Sequence, residues 1–415
     1  MGLYSSFYAS LSGLSANSGM LGVIGNNLSN LNTVGFKGSS SAFQDLFNAS
    51  LGSNGTSGNG NPMQVGLGTQ LGAIVQNFGQ GSFQSTGNVT DMAVSGQGMF
   101  IVRRSDGSQL YTRAGNFSVD RYGYLVNSNG DQVLGWNAVG GVLTTTGTIV
   151  PIQINSGTIS PPTATTTVAT NTNLNANAAI GSTFSTPVQV YDSLGAAHTV
   201  LVTYTKVAPT VAGAASQWTA TASTDATAAT VTTPIAFDNA GVLISPAVDG
   251  TISVTGWANG AADSTINWDI WTGTTASLTG FASPSATSGT TQNGAGAGTV
   301  RSLVIDQNGI ITGNFTNGQT LQLAQVSLAT FPNTNGLSKE GNNAWSQTLA
   351  SGAPNIGAAD QGGRGKVLGG QLELSNVDTA TEFTQLIVAQ RGYQANSRIV
   401  TTADTLLQEV LNMVR

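Results

Sequence analysis

"IGNNLSNLNTVGFK", residues 24–37, decides how the chain is read. Asn26, Asn27, Asn30 and Asn32 are threaded by Leu28 and Leu31, and the run closes on Gly35-Phe36-Lys37. Asparagine tolerates turns and left-handed backbone and bonds its own main chain, so the stretch reads as a helix end opening into a connector. Gly35 supplies the freest backbone, Phe36 an apolar anchor, and Lys37 is the first charged side chain of the sequence. The amides read as helix-end and subunit-contact groups rather than as a ligand site.

A helical pattern precedes it. Tyr4, Phe7, Leu11, Leu14, Leu21 and Leu28 recur at alternating three- and four-residue spacing, with Ser18 and Gly25 at the remaining seam positions. That spacing predicts a coiled-coil-like helix over residues 1–34. Gly13, Gly19, Gly22 and Gly25 each cost such a helix about 1 kcal/mol against alanine, so it needs a partner. That partner is either the helix at the far end of the chain or a neighbouring subunit. Phe383, Leu386, Tyr393, Val400, Leu407, Leu411 and Val414 keep a similar seam over residues 375–415, interrupted by Gln390, Ser397 and Asp404. Thr379-x-x-Glu382 and Ser375-x-x-Asp378 are candidate capping boxes at its start.

Between the ends the signals are those of strands and turns. A connector is expected over 35–91, with a flexible loop at 48–62, "NASLGSNGTSGNGNP". Short β-type runs over 92–158 are punctuated by Asp106-Gly107, Gly123 and Asn129-Gly130, and Asn308-Gly309 and Asn317-Gly318 repeat the theme over 300–350. Residues 159–299, dominated by Thr, Ala, Ser, Gly and Val, read as an inserted β domain with Trp257, Trp268 and Trp271 as core material. A second connector spans 351–374. The fold class expected is therefore α+β and multidomain: paired terminal helices enclosing nested all-β domains.

Composition narrows the function. Only 8% of the 415 residues are charged, against roughly 25% in an average domain, and the net charge is −6. There is no basic footprint for nucleic acid. No apolar run is long enough for a membrane span. No positive n-region precedes an apolar core at the N-terminus, so export by a cleaved signal peptide is not expected. With no cysteine, thiolate metal sites and cysteine nucleophiles are excluded; with one histidine, His198, a two-histidine metal site is too. His198 itself reads as a satisfied or surface side chain. "GGRGKV", residues 362–367, fails the phosphate-loop pattern at Asp360 and Val367. No cofactor, metal site or catalytic residue is expected, and no enzyme activity.

Four blocks together resemble a known family, the rod and hook proteins that form the axis of the bacterial flagellum. They are "IGNNLSNLNTVGFK"; "DMAVSGQGMFIV" at 91–102; "YTRAGNFSVDRYGYLVNSNG" at 111–130; and the C-terminal run beginning "LELSNVDTATEFTQLIVAQRGYQANSRIV" at 372. The resemblance implies a structural subunit outside the cell, exported through the flagellar type III apparatus, and polymerising with itself into a helical tube. It implies terminal helices lining a channel, with β domains outside. The long insertion favours the hook, a curved universal joint that carries torque from rod to filament. Distal rod, hook cap and hook-filament junction proteins are then the implied partners. The alternatives are the distal rod protein within the family and, outside it, a secreted β-rich surface protein.

Overall fold

The computed structural model describes residues 2–53, 62–154, 159–226, 228–231, 234–273 and 275–413. The chain is mostly β, with two long helices at its ends. It divides into two compact units: residues 1–155, 303–312 and 322–415 form one, and residues 156–302 with 313–321 form the other.

In the first unit, helix α1 (Gly2–Ser29) and helix α2 (Thr379–Met413) lie against each other. At 1.5 Å per residue they are about 42 and 52 Å long. They meet along small and amide side chains. A Cβ on Gly13 would lie 2.7 Å from Asn396 Nδ2, and one on Gly392 would lie 2.9 Å from Asn17 Oδ1. The two pairs are reciprocal, so the helices run antiparallel and at close range. Ser10, Ala16, Ile24 and Asn27 are the buried positions of the same stripe on α1; Ala389 and Ala403 are those on α2. The glycine at 13 that weakens the isolated helix is therefore what admits its partner.

The N-terminus of α2 differs from the expected capping boxes. The cap is Asp378, whose Oδ1 accepts the Thr381 N–H at 2.7 Å. Glu382 does not fold back on Thr379; its Oε1 accepts from Asn27 Nδ2 at 3.0 Å. A lateral bond to α1 has replaced the local one.

After α1 the chain forms a two-tier β ladder. Strand β1 (Ser39–Asp45) leads to β2 (Asn48–Ser53), which pairs with β3 (Pro62–Gly66); β4 (Thr69–Gln76) returns beside β1. Residues 48–53 and 62, expected as flexible loop, are thus strand. Backbone pairing needs no apolar side chain, which is why composition missed it. Residues 54–61 lie outside the described residues. The body of the unit follows: β5 (Phe83–Ser85), β6 (Met92–Ser95), β7 (Met99–Arg103) and β8 (Gln109–Thr112). β7 pairs with β8, with Gln132–Asn137 and with the Leu328–Ala329 segment. The chain's return adds Lys366–Gly369 beside β6 and Gln371–Glu373 beside β5. Phe100, Val102, Phe117, Val133, Val326 and Leu328 form the core, with Phe100 and Phe117 edge to face at 5.1 Å.

The second unit is a β-sandwich. Strands 183–191, 197–207, 216–223, 234–237 and 243–245 make one antiparallel sheet; strands 167–173, 228–231, 250–255, 264–269, 278–279 and 286–292 make the other. Along 197–207 burial alternates residue by residue, as a sheet with one wet face requires. Val200, Val202 and Trp218 from the first sheet meet Val168, Val254 and Trp268 from the second in a shared core.

One turn device recurs in both units. Asp120, Asp192, Asp238 and Asp306 each accept with Oδ1 from the backbone N–H two and four residues on, and Asn127 does the same. The residue three positions on is glycine at positive φ each time: Gly123, Gly195, Gly241, Gly309 and Gly130. The side chain closes the turn and glycine supplies the left-handed step.

Candidate functional site

The opening stretch folds into the place where both termini meet the β body. α1 ends at Ser29, and the asparagines divide their work. Asn27 is buried: its Nδ2 donates to Ser39 O at 2.7 Å and to Glu382, and its Oδ1 accepts from Ser39 N at 3.0 Å. It ties α1, α2 and β1 together. Asn30 Nδ2 donates back to Asn26 O at 2.9 Å and Asn26 Oδ1 at 2.8 Å, closing the last turn of α1. Asn32 is exposed.

Gly35 takes φ +68°, and a Cβ there would meet Ala114 N at 2.5 Å. Only glycine fits, on both counts. Its N–H donates to Glu373 O at 2.7 Å. Phe36 is buried, with Lys339 Nζ 4.8 Å from its ring centroid.

Lys37 is fully buried and makes the charge arrangement of the site. Its Nζ donates to Glu373 Oε1 at 2.7 Å and to Gly79 O at 2.7 Å. Gln80 Nε2 and the Gly81 N–H reach the same oxygen at 2.6 and 2.9 Å. On the other side Arg113 Nη1 donates to Glu373 Oε2 at 3.2 Å, while its Nη2 donates to Gly96 O at 2.6 Å. Burial pushes both cations below their ordinary pKa values, and contact with Glu373 opposes the shift. Asn376 completes the knot: its Oδ1 accepts from Gly38 N, and its Nδ2 donates to Asn77 O and Gly79 O. Arg113 Nε is the one buried donor of this group with no hydrogen-bond partner among the described residues. The arrangement fastens three chain segments, and Arg113 also lines a pocket of about 310 Å³ together with Phe78, Met99 and Phe331.

None of the described seam residues is fully buried. Leu14, Leu21 and Leu28 are half-buried and Leu11 is exposed on α1; Phe7 is half-buried. On α2, Leu386, Val400 and Leu407 are half-buried, while Phe383 and Tyr393 are exposed. The side chains of Tyr4, Leu411 and Val414 lie outside those described. Sequence reasoning missed Arg113, Glu373 and Asn376 at the junction. Glu373 carried one signal: it is one of only four glutamates, and it sits just before the C-terminal helix.

The geometry is that of a structural joint between terminal helices and a β body, and the comparisons agree on its family. Four family models match in order: "Flagella basal body rod protein" over residues 7–37, "Flagellar hook protein FlgE/F/G D1 domain" over 93–175, "Flagellar basal body protein FlaE D2 domain" over 161–295, and "Flagellar basal body rod FlgEFG protein C-terminal" over 368–413. The chain belongs to the rod and hook protein family of the bacterial flagellum. The flagellar hook protein of Salmonella typhimurium is 35% identical over 98% of this chain and 100% of its own length; that of Treponema pallidum is 34% identical over 99% of each. A flagellar basal-body rod protein of Bacillus subtilis is 28% identical over 99% of each. Membership supports self-polymerisation, a place in the basal body and hook assembly, and a location outside the cell. Among the described residues no helix is long and apolar enough to cross a membrane.

Proposed function

We propose that the chain is the structural subunit of the flagellar hook, a curved tube that carries torque from the rod to the filament while its axis bends. The observation that carries this reading is the match along essentially the whole chain to hook proteins, inserted unit included. The rod protein of Bacillus subtilis keeps the distal rod as a second reading, at lower identity.

Phe383, Ile387, Tyr393 and Leu11 are exposed on helices that touch each other through small residues. A pair that leaves its large apolar groups wet is stabilised weakly by itself and strongly by neighbours that cover them. Subunit surfaces with few charges lose little on desolvation. Phe7, Leu11, Leu14, Leu21 and Leu28 on α1, with Phe383, Leu386, Tyr393, Val400, Leu407 and Leu411 on α2, are the interface candidates. The Thr- and Ala-rich surface of residues 156–302 makes outer contacts weak enough to shift between arrangements of similar energy, which bending requires. Export runs through the flagellar type III apparatus. Distal rod, hook cap and hook-filament junction proteins are the neighbours in the assembly.

Deleting the gene tests the reading. Motility is lost, and electron microscopy finds rods without hooks. Normal hooks in the deletion strain would sink it, and rods that stop short would favour the distal rod.

A further inference from the structure

Two of the glycines in α1 have no reason to exist within this chain. A Cβ on Gly22 or Gly25 would meet nothing within 4 Å. Each still costs the helix about 1 kcal/mol relative to alanine. Gly13, by contrast, is accounted for by Asn396.

Gly22 lines an open groove of about 280 Å³, bounded by Gly19, Gly22, Val23 and Asn26 of α1 and, across it, by Ser39 of β1 and Ile74 of β4. The four α1 positions are i, i+3, i+4 and i+7. That is the four-residue hole into which a side chain of a facing helix inserts. For scale, an apolar cavity of about 150 Å³ takes up benzene, so the groove has room for a Leu or Ile side chain.

The same chain carries a matching set of knobs. Val388, Ile399 and Leu406 are 61%, 43% and 48% exposed. Their spacing, with Ala395 between, is seven, four and seven residues, which keeps them on one face of α2 as a coiled-coil seam does. Thr402 fills one intermediate position and Gly392, which borders the contact with Asn17 of the chain's own α1, the other, so this face carries no charge. α1 carries no charge either.

We propose that the groove of α1 seats the Val388–Ile399–Leu406 face of α2 from a second copy of this chain. The proposal rests on the hook reading and names one of its subunit contacts. Hole and knobs are different surfaces of one molecule, so the contact is heterologous. Repeated from copy to copy, it builds an open helical assembly instead of a closed dimer. Gly22 is then glycine because the neighbouring helix comes close, as Asn396 does at Gly13.

The chain contains no cysteine, which makes cross-linking a clean test. Full-length protein carrying Gly22→Cys is co-assembled with a size-tagged chain carrying Val388→Cys, Ile399→Cys or Leu406→Cys, then oxidised. A disulfide needs Cα atoms within about 7 Å. The expected result is a tagged–untagged dimer in one of the three mixtures. Its absence from all three, in tubes that form normally, overturns the proposal. If the unmodified protein forms no tube, the hook reading fails and the proposal with it. Gly22→Val gives an independent readout. Its Cβ meets nothing in the monomer and a glycine is removed from the helix, so thermal melting of the unpolymerised protein is not lowered. Filling the hole raises the concentration needed for polymerisation about tenfold. An unchanged polymerisation threshold would count against the groove.

Discussion

At the scale of single residues, Glu373 holds the junction. It is fully buried between Lys37 and Arg113 and accepts four hydrogen bonds through its carboxylate. Removing one member of a buried ionic group leaves the others uncompensated, at about 3–5 kcal/mol. Glu373→Ala strands two cations and is expected to cost that much in urea denaturation of the full chain. Lys37→Met leaves a neutral Arg113–Glu373 pair and is expected to cost clearly less. Equal losses would mean that the carboxylate matters for packing and not for charge. Lys37 was legible as a junction residue because it breaks a long uncharged run. Its partner lies 336 positions away, a separation no local pattern reveals.

At the scale of elements, the helices show which faces a seam serves. The 3-4 spacing of leucines was legible and placed both helices. It did not say that α1 and α2 meet through Gly13, Asn17, Gly392 and Asn396, because small and polar residues carry no hydrophobic signal. Nor did it show the exposed Val388–Ile399–Leu406 face, which a glycine and a threonine interrupt. A helix pair that leaves Leu11, Phe383, Ile387, Tyr393 and Leu406 exposed is held weakly until other subunits arrive. Limited proteolysis should therefore cut the monomer within 2–29 and 379–413 while the β body resists. In the polymer both segments should be protected. Ends that resist equally in the monomer would remove the ordering-on-assembly part of the reading.

At the scale of the whole molecule, the sole histidine makes part of the stability depend on pH. His198 Nε2 lies 2.9 Å from Asp192 Oδ2, and its Nδ1 lies 2.8 Å from Asp225 Oδ2. Its ring lies against Trp257 with centroids 4.2 Å apart, and Asn259 bonds the same Asp192 oxygen. Burial disfavours the imidazolium, but the bonds to Asp192 and Asp225 outweigh it and raise the His198 pKa above 6.5. Burial also works against the Asp192 carboxylate, yet its bonds from Asn259, His198 and two backbone N–H groups hold it down to about 2. A raised folded pKa gives stability that is full below the unfolded value and is lost as pH rises through the folded one. The Asp192 contribution is lost only as pH falls through about 2. The melting temperature of the unit holding residues 156–302 should fall on going from pH 6 to well above the raised pKa, and His198→Gln should flatten that slope. A wild-type slope unchanged by the substitution would exclude His198 as its source.

Local patterns determined the parts of this protein that depend on near neighbours. Helical spacing at both ends, Asn-Gly and Asp-Gly turns, and a nearly uncharged, cysteine-free composition gave two helices around a β body. The Asp-x-x-Gly turns are just as local, at Asp120, Asp192, Asp238 and Asp306. Tertiary structure alone decided which distant residues meet. Gly35 is required by the backbone at Ala114, Lys37 is neutralised by Glu373, and Glu382 abandons its own cap for Asn27. The reason is physical: propensity and periodicity act over a few residues, whereas burial and charge pairing depend on which segments the fold brings together.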